Sequence, residues 1–195
     1  MHTCVCGAQV EKDGQHAFVC NKLKSRHARN TLCNNDIRRA FAAGEIPTRL
    51  EPTGMCSNDE KRPDGITLVP WSSGRALVWD FTCVHRQAAS YSSSALKDGP
   101  AVANLAESNK LRKYQELEQS HIVQPVAAET LGGLGESTLT FLRELGARIR
   151  SVSDQKRSAE FLRQRLGISI QIGNAAAVME TFGGAEDPLD IDFVR

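Results

Sequence analysis

Apolar residues recur at three- and four-residue steps over 25–43, where Ala28, Leu32, Cys33, Ile37, Ala40 and Phe41 mark one face and Gly44 supplies a stop. That period predicts a helix. Residues 1–21 show no period and read as an irregular knuckle around Cys4, Cys6, His16 and Cys20, with a turn at Asp13-Gly14. After the helix, 47–51 reads as a short strand ended by Pro52, and 53–62 as a polar loop. Residues 66–69 and 76–84 read as two strands of a hairpin turning through Pro70-Trp71-Ser72-Ser73-Gly74. The Ser-rich 86–100 stretch closes on Asp98-Gly99-Pro100 and leads into a helix over 101–118. A fourth strand is expected at 122–128, then turns at 131–135 and a helix over 136–152 striped by Leu139, Leu142, Leu145, Ile149 and Val152. Another helix is expected over 154–166. Residues 168–172 alternate like a strand, but Ile168, Ile172, Ala175, Ala176, Val178, Met179 and Phe182 also fit a helix, which we adopt.

This order predicts an α/β fold, a small mixed central sheet flanked by helices. The expected divisions are a knuckle at 1–24, a core at 25–130, a helical C-terminal extension at 131–183 and an acidic tail at 184–195. The composition, with 41% hydrophobic and 24% charged residues, excludes a collagen-like, wholly disordered or disulfide-dense chain. No apolar run approaches the ~18 residues of a spanning helix, and no charged leader precedes an apolar stretch at the N-terminus, so neither membrane nor secretory signal is expected.

A net charge of +1 conceals an uneven distribution. Residues 22–49 carry Lys22, Lys24, Arg26, Arg29, Arg38, Arg39 and Arg49 against Asp36 and Glu45, whereas 184–195 carry four acids against Arg195. The first segment offers a footprint for a polyanion or, equally, an ordinary charged helix face.

Three of the six cysteines fall in the first 20 residues. In a reducing compartment such clustering suits a metal better than disulfides. Cys4-x-Cys6-x9-His16-x3-Cys20 offers three thiolates and an imidazole, the ligand count of a structural Zn²⁺ site, with His27 as a substitute for one cysteine. Metal would give this short segment its folding energy.

Asp64, in Arg62-Pro63-Asp64-Gly65, opens one hairpin strand, and Asp80 lies within the next. The return brings both carboxylates to one place, and with the Phe81 carbonyl they make a hard oxygen set suited to Mg²⁺ or Mn²⁺. Taken singly, Asp64 is a turn residue and Asp80 an edge acid. The apolar flank of Asp80 argues for a partnered carboxylate. Lys110, Lys113 and Tyr114 share a helix face that suits a phosphate, or a solvated face neutralised by Glu107 and Glu116.

Together these residues resemble the restriction-like endonuclease domain of the PD-(D/E)XK superfamily, found at the C-terminal end of site-specific non-LTR retrotransposon proteins. The resemblance rests on the knuckle, Arg26-His27, Leu50-Glu51-Pro52, Arg62-Pro63-Asp64, Asp80-Phe81-Thr82 and the Lys110–Tyr114 stretch. It is extended by Glu129-Thr130-Leu131-Gly132 and Gly173-Asn174-Ala175-Ala176, which take no catalytic role. It implies a restriction-endonuclease-like fold and a Mg²⁺-dependent nuclease with Asp64 and Asp80 on the metal. The family's lysine two residues past the second acid is Thr82 here, so the resemblance passes that role to Lys110, with Lys113 as the fallback and Glu51 as a third acid. Arg26, His27, Arg29, Arg38, Arg39 and Tyr114 would face DNA, or RNA, in the nucleus. Such proteins carry a reverse transcriptase before this domain, and the chain reads as a domesticated or decayed fragment.

The expected activity is phosphodiester hydrolysis without a small-molecule cofactor. Thr82 motivates a second expectation, a catalytically silent nucleic-acid-binding module, and the leucines of 136–182 a third, a protein-interaction scaffold. The 131–137 stretch lacks the lysine of a nucleotide-binding loop, and His85 and His121 lack a nucleophile motif around them.

Overall fold

The structure, a computed structural model, describes residues 1–56, 62–88 and 101–183. The Ser-rich 89–100 segment, part of the 53–62 loop and the acidic tail lie outside these residues.

Helix α1 (His16–Val19) and the two-stranded ribbon β1 (His2–Thr3) and β2 (Gln9–Val10) form the knuckle. Helix α2 (Ser25–Ala43) follows as expected. Its first turn is capped from the far end of the chain: Glu180 Oε1 accepts from Lys24 N and Oε2 from Ser25 N, at 2.8 and 2.9 Å.

Strands β3 (Thr48–Leu50), β4 (Gly65–Thr67), β5 (Leu77–Val84) and β6 (Ile122–Glu129) form one mixed sheet in that order. β3, β4 and β5 pair antiparallel, so the hairpin is as expected, and β6 joins β5 in parallel with Asp80 opposite Pro125. Proline is tolerated there because β6 is an edge strand. That edge is covered by the following turn, whose Gly133 carbonyl accepts from Glu129 N and whose Gly135 N donates to Ala127 O.

Parallel β5 and β6 need a crossover, which helix α3 (Ala101–Lys113) supplies. It covers the face bearing Val84 and Ala127 with Val102, Ala103 and Ala106. The helix expected to run to 118 ends at Lys113 and tightens into a 3-10 turn over Gln115–Gln119. The other face, with Trp79, Phe81 and Val126, is covered by α2 and helix α4 (Glu136–Ser153), and helix α5 (Ser158–Glu180) packs across both. Phe141, Leu145, Leu162, Leu166 and Ile170 therefore share one apolar cluster with Ile37, Phe41 and Trp79.

The two helices expected at the C-terminal end are one, running through Gly167 and the alternating 168–172 stretch without a break. Each of its two interior glycines, Gly167 and Gly173, costs the helix about 1 kcal/mol, which burial of a whole face outweighs. Glu107 does not neutralise the α3 lysines as expected. Its carboxylate is buried and accepts from Ser137 N and Thr138 N at 3.1 and 2.7 Å, capping the start of α4. Gly135 makes this approach feasible, since a Cβ there would lie 2.2 Å from Glu107 Oε1. No helix among the described residues is long and apolar enough to cross a membrane.

Candidate active site and metal-binding knuckle

β4 ends its pairing with β5 at Gly65 and Trp79, and one step further Asp64 N donates to the Trp79 carbonyl at 3.0 Å. Beyond this point β5 continues without a β4 partner. Phe81 N turns to this open edge and donates to Asp64 Oδ2 at 2.7 Å, and strand alternation turns the Phe81 carbonyl to the same edge. Asp64 and the backbone of Phe81 thus meet at the end of the hairpin.

Asp80 points to the opposite face of β5, toward α3. It is buried, and Tyr114 Oη lies 2.8 Å from its Oδ1 while Lys110 Nζ ion-pairs with its Oδ2. Residues 110 and 114 are one helical turn apart, so both reach the same carboxylate. Thr82, two residues along β5, lines a groove with Lys110, Arg26 and His27. Lys110 from the neighbouring helix therefore stands in the same groove as Thr82.

Burial, then the negative charge of Asp80, push the Asp64 carboxyl above its usual range, against hydrogen bonds from Asn34 and Phe81 and the charge of Lys110. Burial, then Asp80, also push the Tyr114 phenol well above its ordinary value. The charge of Asp80 thus opposes ionisation of Asp64, beside one ammonium group.

Residues not anticipated as site groups fix this geometry. Asn34 on α2 donates from Nδ2 to Asp64 Oδ2 at 2.9 Å and accepts at Oδ1 from Trp79 Nε1 at 3.0 Å. The indole reaches it by lying flat across Gly65, where a Cβ would come within 2.2 Å of the ring. Pro-Asp-Gly in the sequence carried part of this signal, because only glycine fits beneath Trp79.

Other expected site residues take different positions around these grooves. Tyr114 is 1% exposed and braces Asp80, so it is not placed to meet a nucleic acid. Lys113 Nζ lies over the Tyr114 ring at 4.6 Å and is not among the groups on Asp80. Glu51 pairs with Arg62 at 2.8 Å on the rim of a second groove that reaches Asp64. Arg29 lines the first groove but is 3% exposed and donates to Asn174 Oδ1 at 2.8 Å, so it ties α2 to α5, where Gly173 leaves room for its stem. Arg39 lies on the α5 side of α2, 3.9 Å from Asp36. His27 lines both site grooves, Arg26 lines the first, and Arg38 is exposed on the same helix, one turn beyond Asn34.

No family model matches the chain, and no curated protein matches it.

At the N-terminus, Cys4, Cys6, His16 and Cys20 have ligand atoms all within 4.8 Å of one another and could hold a metal ion. Cys4 and Cys20 are buried among Val10, Ala17 and Leu23, while Cys6 is exposed with Sγ 3.3 Å from His16 Nε2. A hydrogen bond from the Ala8 backbone lowers the Cys6 thiol to about 7, and burial raises that of Cys4. Three sulfurs and one imidazole make a soft donor set with the tetrahedral count. His27 is not part of this group.

Proposed function

We propose that this chain is a divalent-metal-dependent nuclease domain with a restriction-endonuclease-like core, acting on DNA, and that its knuckle holds structural Zn²⁺. The observation that carries the reading is the convergence of Asp64, Asp80 and Lys110 at the open end of the β4–β5 pairing, beside grooves lined by α2. Two carboxylates, Asp64 and Asp80, with a backbone carbonyl at the edge beside Asp64, are a hard donor set that fits Mg²⁺ or Mn²⁺.

Asp64, Asp80 and the Phe81 carbonyl would hold the ion, which would supply Lewis acidity and an activated water. The chain's own groups do the rest. Asn34 and the Phe81 amide fix the Asp64 carboxylate through Oδ2. Tyr114 fixes Asp80, and Lys110 Nζ offers positive charge to the phosphate oxygens as charge builds on them. Arg26, His27 and Arg38 meet the backbone phosphates along α2, displacing counterions, so binding weakens as salt rises. A nuclear site of action follows from a DNA substrate of retrotransposon type.

The test is nicking of supercoiled plasmid by the chain in Mg²⁺ or Mn²⁺. Divalent-dependent nicking supports the reading. Thr82 favours one other reading, a binding module with a lost active site, and a salt-sensitive gel shift without nicking would select it.

A further inference from the structure

His27 and Asn30 on α2 line two grooves at once. The first is basic, with Arg26 and Lys110 along it. The second, of about 170 Å³, opens on Asp64 and has neither lysine nor arginine among its lining residues, while Glu51 and Asp64 give it two acids. A phosphate backbone is drawn to the first and repelled by the second. The second offers hydrogen-bonding groups beside an apolar wall, Leu50. Asn30 and Asn35 stand half-buried in it, and among the described residues neither side chain has a hydrogen-bond partner. Asn34, by contrast, is committed at both ends, to Asp64 and to Trp79. Glu51 follows β3 at φ 47° and donates from its N to the Asp64 carbonyl at 2.8 Å, which fixes it beside that acid. Its Oε2 pairs with Arg62, and Oε1 remains as an acceptor.

We infer that the second groove seats one unstacked base, next to the phosphate on which the site acts, and reads the exocyclic amino group of adenine or cytosine. The inference rests on the nuclease reading for that neighbouring phosphate alone. A base is neutral and planar, and a concave groove takes it only when it leaves the stack. An asparagine amide presents one acceptor and one donor side by side. That is the complement of an amino group and the adjoining ring nitrogen, which adenine and cytosine both carry. A carboxylate accepts from the same amino groups, and Glu51 Oε1 is there to do so. Guanine and thymine put a carbonyl oxygen at that place, where it meets the groove's acids as acceptor against acceptor. The basic groove thus positions the strand and the amide groove chooses the base, with Asn30 on the ridge between them.

The test is fluorescence anisotropy of the full chain at low salt, without divalent metal, on labelled thymidine octamers carrying thymine, guanine, adenine or cytosine at one central position. The adenine and cytosine strands should bind about tenfold more tightly than the other two. Asn30→Ala combined with Asn35→Ala should bind all of them alike and keep the wild-type dependence on salt, since no cation is lost. Circular dichroism verifies that this variant is folded. Wild-type binding indifferent to the central base overturns the inference, and so does a double variant that keeps the preference. Plasmid nicking measured beside it separates the two readings. A base preference without nicking supports base reading in a catalytically silent module, and nicking without a base preference overturns the inference while the nuclease stands.

Discussion

Lys110 Nζ pairs with Asp80 Oδ2 across the interface between α3 and the central strand, so the cation of the site is delivered by a helix and not by the strand that carries the acid. Thr82 occupies the strand position beside it, half-buried in the same groove. The contact gives Asp80 a charged partner in a buried place, which a lone carboxylate would not tolerate.

Lys110→Met should therefore lower single-turnover nicking by about a hundredfold, the range expected for loss of one charged group aimed at a transition state. Lys113→Met, which removes only the cation over the Tyr114 ring, should leave the rate within about twofold. Equal losses in the two variants would remove Lys110 from its role.

Asn34 links Trp79 to Asp64, so in the proposed nuclease it would act only through that carboxylate. Asn34→Ala strands a buried indole N–H and should cost about 1–3 kcal/mol in urea unfolding. Its nicking should also need more Mn²⁺ for half-maximal rate, a change that stability alone would not produce.

Much of this arrangement is legible in the sequence, and the limits are physical. The hairpin follows from turn residues between apolar runs, and Asp64 and Asp80 fall on it with the right separation for one edge. The partners of those acids are less legible because they arrive through tertiary contacts. Asn34 stands in a helix 30 residues before Asp64 and has no local mark. Arg29 belongs to a basic stretch and was expected at the surface, yet Gly173, 144 residues later, admits it to the interior. Glu107 reads as a helix-face acid until α4 is seen to begin at its carboxylate. Periodicity reports which face a residue occupies and is silent on what that face meets.

Asp64 has a carboxyl raised in the folded state, first by burial and then by Asp80. Such a group favours the fold most at low pH, and its contribution is lost as pH rises through the folded value, because the charged form must then be held in a dry place. Asp64→Asn removes that charge while keeping an acceptor for Phe81 N. The variant should melt above wild type at pH 8, and the difference should shrink as pH falls and wild-type Asp64 takes up its proton. The same variant should be inactive. Thermal melts from pH 4 to pH 8 check this, and a difference that grows toward acid would contradict it.

The knuckle should bind one Zn²⁺ per chain, measured by atomic emission on dialysed protein. Cys20→Ser, at a buried ligand, should lose that metal and lower the melting temperature, and a strong chelator should do the same to wild type. His27→Ala should keep full metal content, since His27 lies with the Asp64 grooves.

The central claim is that Asp64 and Asp80 form one divalent-metal site, and the most direct measurement is plasmid nicking by wild type, Asp64→Ala and Asp80→Ala at equal zinc content. The account predicts Mg²⁺- or Mn²⁺-dependent nicking by wild type and its loss in both variants, with salt-sensitive DNA binding retained in each. Nicking that survives either substitution would contradict it.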